Sequence, residues 1–462
     1  MVEFDRREYT TPSPEDEIKI EERSTFQQAI APCVPPSPPD GGVRAFLVMF
    51  ASFINTGVVF GVITGNSLII AAIQSNLAST NDGDASSKAA LVGSLCLGTL
   101  LGLSPIGGIV SDLLGTRVAV LFGGLICVSG MSMSSFFSNN VAVLWITYGF
   151  MFGFGASFCY SPSLVILGKY FKRHLSKATG FVEMGAPVFG IIVSEILSYL
   201  IAAKGLSAAL KALAILSVLP IITSLAYKKD IALPAPKIEK RFFNTSIWKN
   251  KRYVIWNMCC MCGQFGFYAP FAHIVKFSDI NYPEQNSNMA IICISIGSVF
   301  GRIISGCVGD SGKINRITFQ QILTILFGLA IMIIAVPGIP YYIFLIMTTS
   351  FGMLDGAVIA LNTPIAIEIC GIENANQALG FLFGLMAGPL ILGPPLVGKI
   401  YDTTGSYTEG FLMSAAFIIV GGLSMFFIRL VKEGRPHDNE ASPLLNNREQ
   451  DSKRSAYETL VC

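Results

Sequence analysis

Residues 108–112 read Gly-Ile-Val-Ser-Asp, and residues 306–310 read Gly-Cys-Val-Gly-Asp, 198 positions further on. Each Gly-x3-Asp turn closes a long apolar run. Three more pairs sit at nearly the same offset: Ser161-Pro162 with Thr363-Pro364, Ala178-Thr179-Gly180-Phe181 with Ala378-Leu379-Gly380-Phe381, and Pro187 with Pro389. Four pairs at nearly one spacing describe a chain built twice. Matching Gly and Pro interruptions in two apolar halves are a sequence pointer to a site at the middle of a bilayer, between halves that can rock against each other. Close helix packing would also use small residues there, and the two roles are compatible.

The apolar runs around these turns are long enough to cross a membrane. Of 462 residues, 52% are hydrophobic and 13% charged, where a soluble chain carries about 25% charged residues. A span needs about twenty mostly apolar residues. Such runs fall near 45–73, 89–110, 117–136, 141–168, 178–202, 207–227, 253–275, 288–309, 317–336, 340–370, 376–400 and 408–431. The expected fold is therefore all-α and polytopic, with twelve transmembrane helices in two six-helix bundles, 41–227 and 252–431. Between them lies a polar central loop, 228–251, and outside them lie polar tails, 1–40 and 432–462, expected to be disordered.

Lys and Arg orient the spans. Lys169, Lys172, Arg173 and Lys177, the cations of the central loop, and Lys313 with Arg316 all fall on one side, which is expected to face the cytosol together with both tails. The opposite side has only scattered cations, such as Lys88, Lys204, Lys276 and Lys399. Residues 1–38 lack the short apolar core of a signal peptide, so the first span is expected to direct its own insertion. A net charge of +2 with no basic–aromatic patch argues against nucleic acid. Cys259-Cys260-Met261-Cys262 reads as small apolar helix residues without a second ligand set. No metal, cofactor or catalytic centre is expected, and no nucleotide-phosphate motif suggests a pump.

Arg302 stands inside span eight. A cation at a helix centre costs about 2.5–3.5 kcal/mol on insertion scales, so it needs a partner, and a guanidinium binds a carboxylate through two parallel hydrogen bonds. That carboxylate is either a solute's or that of Asp355 in span ten, which is itself readable as a proton carrier. Glu183 in span five is a second candidate for a proton or charge partner. Asn55, Thr64, Tyr160, Tyr268 and Ser298 offer neutral hydrogen bonds to a solute; each alone is more often a packing residue.

Gly108, Asp112, Gly115 and Arg117, in twelve spans of two halves, resemble the signature of the major facilitator superfamily. Leu113 stands where that signature has a cation. Asp310 closes the matching turn of the second half. The resemblance implies that Asp112 and Arg117 tie span ends together as gating residues. Within the superfamily, several stretches resemble the monocarboxylate transporter family: Pro39-Asp40-Gly41-Gly42, Gly168-Lys169-Tyr170-Phe171-Lys172-Arg173, Tyr268-Ala269-Pro270, Gly301-Arg302 through Asp310, and Leu392-Gly393-Pro394-Pro395. The matching Arg of that family contacts substrate, which implies the same for Arg302. Its proton-coupled members carry a Lys where this chain has Thr64 and an Asp where it has Ser298, so larger or neutral solutes moved without protons are an equal alternative.

The expectation is a secondary active or facilitative transporter of a small organic solute, a monocarboxylate first, with or without a proton. A sensor that keeps the fold without transporting is the second reading. The family resemblance adds a single-pass glycoprotein ancillary subunit as a partner. The plasma membrane is the expected location, with endosomal or lysosomal sorting through Glu440-x3-Leu444-Leu445 as the alternative.

Overall fold

The computed structural model describes residues 40–78, 85–227, 244–285, 288–312 and 314–431. The tails beyond these residues, positions 228–243 of the central loop and the Glu440–Leu445 sorting pattern lie outside them.

Eleven helices are long and apolar enough to cross a membrane, and a twelfth span is a bent pair. In chain order they are α1 (Val43–Ile73), α2 (Leu91–Gly102 and Ser104–Leu114), α3 (Thr116–Phe136), α4 (Val141–Lys169), α5 (Leu175–Lys204) and α6 (Leu206–Ser224). The second half comprises α7 (Lys251–Asn281), α8 (Met289–Gly309), α9 (Arg316–Ile334), α10 (Tyr341–Cys370), α11 (Ala375–Tyr401) and α12 (Thr408–Leu430). These match the twelve expected runs. We call the end that carries Lys172, Arg173, Lys249, Arg252 and Arg316 the basic end.

The expected runs do not show where helices break. α2 bends by 43° at Leu103. Pro105 lies two residues on, and a proline has no N–H to donate into the previous turn. α5 is broken at Met184, one residue after Glu183. In the second half, α8 and α11 run as single helices, although α11 contains Pro389. The two halves thus differ in where their helices break: the basic-end pieces of α2 and α5 are short half-helices, and their counterparts α8 and α11 are continuous.

Those short pieces make the joint between the halves. Gly108 of α2 lies against the carbonyl of Asn376 at the start of α11, leaving no room for a Cβ. A Cβ at Gly380 would stand 2.7 Å from Ser104 O, and one at Gly306 would stand 2.8 Å from Ser176 O. Gly180 lies against the Arg302 carbonyl in the same way. The repeated glycines therefore serve the closest approaches of backbone between halves. Gly115, at φ 89°, links α2 to α3 in a conformation that L side chains rarely adopt.

Candidate functional site

At the basic end, Asp310 reaches from the second half to the first. Its two carboxylate oxygens accept the backbone N–H groups of Ser176 and Lys177, both at 2.8 Å. These are free donors in the first turn of α5, where a negative charge is favoured. Arg316 backs the carboxylate at 3.3 Å and also reaches Glu368 at 3.3 Å. On the other side of the joint, Asn376 of α11 donates to Asp112 Oδ1 at 2.7 Å. Each Gly-x3-Asp turn thus joins the first turn of a helix from the opposite half. Arg117 makes no hydrogen bond or ion pair among the described residues. The cation that backs Asp310 is Arg316, which the first turn's signature did not single out.

Above this joint lies a buried polar cluster. Arg302, Asp355 and Ser298 are each 5% exposed and Glu183 is 3% exposed. Arg302, Glu183, Tyr160 and Phe383 all lie seven to nine residues from the basic end of their helices, about 10–14 Å at 1.5 Å per residue. They form one layer. Ser298 sits one helical turn from Arg302 on the same face. Arg302 Nη1 donates to Ser298 Oγ, which donates to Asp355 Oδ2 at 3.1 Å. The direct Arg302–Asp355 ion pair that the sequence allowed is not formed, because Ser298 stands between them. Arg302 Nε is buried and has no hydrogen-bond partner, which leaves guanidinium capacity unused.

The first half supplies the facing wall. Tyr160 of α4 donates to Glu183 Oε1 at 3.0 Å. Its ring stacks on Phe383 of α11 at 5.2 Å and meets Phe60 of α1 edge-on at 4.8 Å. Arg302's charge reaches Tyr160, Glu183 and Asp355. One guanidinium and two carboxylates, drawn from both halves, therefore share a buried layer walled by aromatic rings.

The other candidates lie elsewhere. Asn55 is fully buried: its amide donates to Ser163 Oγ (3.1 Å) and Tyr227 OH (2.8 Å) and accepts from Thr223 Oγ1 at 2.6 Å. It fastens α1 to α4 and to the end of α6, with both amide donors spent inside the first half. Thr64 is exposed, donates to Phe60 O at 2.8 Å and packs beside Gly190. Tyr268 marks the break within α7 and stacks on Phe271 at 6.2 Å. Neither makes a hydrogen bond to the Arg302 layer among the described residues. What sequence reasoning left at low weight was Tyr160, whose role needs the fold to bring α4, α5 and α11 together.

Comparison with known proteins agrees with this architecture. The family model for the Major Facilitator Superfamily matches residues 46–387. Monocarboxylate transporter 10 of Danio rerio is 33% identical over 437 residues, covering 92% of this chain and 86% of that protein. Monocarboxylate transporter 10 of Homo sapiens is 31% identical, covering 90% and 84%. Among solved structures, the human organic anion transporter MFSD10 superposes with a TM-score of 0.62 at 11% identity, over 83% of this chain and 98% of that one. The transporter FucP in its outward conformation gives 0.61 at 11% identity, over 82% and 99%. These two likenesses are likenesses of fold.

Proposed function

The chain belongs to the major facilitator superfamily and, within it, to the monocarboxylate transporters, and from that premise we propose that it carries a small organic solute bearing a carboxylate across a bilayer by alternating access. One observation carries this reading. Arg302 is a buried cation between two halves, it has no direct ion pair among the described residues, and its Nε donates to nothing. A buried guanidinium with unused donors favours a carboxylate arriving from outside the protein. Asp355, held by Ser298, balances the charge while the site is empty.

Transport then follows from the joint below the site. The Asp310 and Asp112 contacts hold the basic end together. Opening that end separates α5 from α8 and α2 from α11, and exposes the Arg302 layer to that side. The excess of Lys and Arg at this end supports a cytosolic placement, and the plasma membrane is the membrane we assign. The relatives named for monocarboxylates support the solute class.

The test is uptake of labelled lactate, 3-hydroxybutyrate and phenyllactate into proteoliposomes that contain the full chain or Arg302→Ala. Uptake by the parent, lost at least about tenfold in the variant, is the expected result, since one charged hydrogen bond contributes about 1.5–3 kcal/mol. Equal uptake by both rejects Arg302 as the anchor. Binding without uptake of any of the three acids favours a sensor.

A further inference from the structure

Glu183 is the buried charge that anion binding alone does not use. It lies on α5, in the half opposite Arg302, and Gly180, one turn earlier, touches the Arg302 backbone. It is the last residue of the basic-end piece of α5, before the break at Met184. Its donor is the neutral phenol of Tyr160, at 3.0 Å, and it makes no ion pair within 4 Å among the described residues.

The groups that face it can be enumerated. α4 brings Tyr160, α8 brings Arg302 and α10 brings Asp355. α1 carries no ionisable side chain between residues 45 and 73, and α11 carries none from Ala375 to Gly398. Two carboxylates therefore face one guanidinium in a buried layer. When a monoanion seats on Arg302, three negative groups share one positive group, and like charges at close range in low dielectric repel strongly. One carboxylate must then be neutral. Asp355 shares Ser298 with Arg302 and serves as its standing counter-charge. Thr64 and Ser298 do not titrate between pH 5 and 8.

We infer that Glu183 carries the coupling proton of this site: its carboxyl holds a proton while an anion occupies Arg302 and releases it when the anion leaves. The inference rests on the carboxylate reading above. Its balance is simple. The anion and one proton bind from one side, no covalent bond changes, and both leave on the other side. Tyr160 is a positioning residue, holding the carboxyl toward the opposite half.

The experiment uses proteoliposomes loaded with a fluorescent pH indicator and given an inward gradient of lactate, 3-hydroxybutyrate or phenyllactate. Protons and labelled acid that enter are both measured, above protein-free vesicles. The parent should move about one proton per acid and take up acid several-fold faster at external pH 6 than at pH 8. In Glu183→Gln, the proton-to-acid ratio on whatever uptake remains should fall at least fivefold, and the pH profile should flatten. Should Glu183→Gln fail to fold, Tyr160→Phe keeps the ring and removes the donor, and must shift the midpoint of the pH profile. An unchanged ratio in Glu183→Gln, or an unchanged midpoint in Tyr160→Phe, overturns the inference. Parent uptake without proton entry overturns it while leaving the carboxylate reading intact. No uptake of any of the three acids overturns both.

Discussion

Gly180 of α5 and the carbonyl oxygen of Arg302 in α8 are in contact across the joint between the two halves, with no room for a Cβ. The anchor's own backbone is thus part of the surface on which the halves close. An alanine at 180 must push α5 away from α8, and overpacking of this kind costs about 1–3 kcal/mol. That lowers the population of the state closed at the basic end roughly 5- to 150-fold. Gly180→Ala should therefore reduce uptake about tenfold or more at equal protein in the vesicles, whereas Gly388→Ala, with nothing within 4 Å of its Cβ position, should stay within about twofold of the parent. Similar rates for the two variants would show that closure does not need this contact.

A lysine at 302 keeps the charge and loses the planar fork. A guanidinium can grip a carboxylate with two parallel bonds, while an ammonium is a compact point charge. Arg302→Lys should therefore raise the KM for the transported acid about tenfold or more, on the scale of one charged hydrogen bond. A KM within about twofold of the parent would mean that the site needs only positive charge there.

Asn55 should report on stability alone. Its amide is spent on Ser163, Tyr227 and Thr223, and polar contacts between membrane helices are worth about 0.6–1.7 kcal/mol each. Asn55→Ala should lower the Tm of the detergent-solubilised protein while its KM in vesicles remains unchanged. A large KM rise with a parental Tm would return Asn55 to the solute site.

The contrast between Asn55 and Arg302 marks how far the sequence could be read. Hydropathy placed the spans, because a run of twenty apolar residues has one stable environment. It also made Arg302 conspicuous, since a charge in an apolar run demands a partner somewhere. An asparagine in such a run looks the same whether it meets a solute or three neighbours on α4 and α6, and only the fold decides. The break at Met184 was hidden for a related reason: residues 178–202 read as one mostly apolar run, and neither Glu183 nor Pro187 within it shows where the helix stops. Tyr160 joins Glu183 to Phe383 only once three helices have met. Arg316 was visible as a loop cation, but its hold on Asp310 is a tertiary contact.

The two Gly-x3-Asp turns should differ on mutation. Asp310 receives two backbone N–H groups of α5 and the Arg316 guanidinium, so Asp310→Ala removes a cap and a cross-half tie together. Capping losses run about 0.5–2 kcal/mol, and uptake should drop several-fold. Arg117→Ala, by contrast, removes no bond among the described residues and should leave the rate near that of the parent. Equal losses in the two variants, measured side by side in vesicles, would show that Arg117 works in a state of the cycle other than this one.

Asp40 isolates the pH dependence that remains. It lies just before α1, and its carboxylate accepts the backbone N–H groups of Lys172 and Arg173 at 2.5 and 2.6 Å, beside the turn into α5. Slight burial pushes its pKa up, but the backbone bonds from Lys172, Arg173 and His174 pull it further down, to below 3.8. A carboxyl whose folded pKa is depressed adds stability that is present above its unfolded value and is lost as pH falls through the folded one. Between pH 5 and 8 that contribution is constant. Asp40→Asn should therefore lower the Tm by the same amount at pH 5, 6, 7 and 8, and should leave the shape of the pH profile of uptake unaltered. A Tm difference that shrinks toward pH 5 would show that Asp40 titrates within this window, and part of any proton effect on transport would then belong to the mouth of α1 rather than to the layer around Arg302.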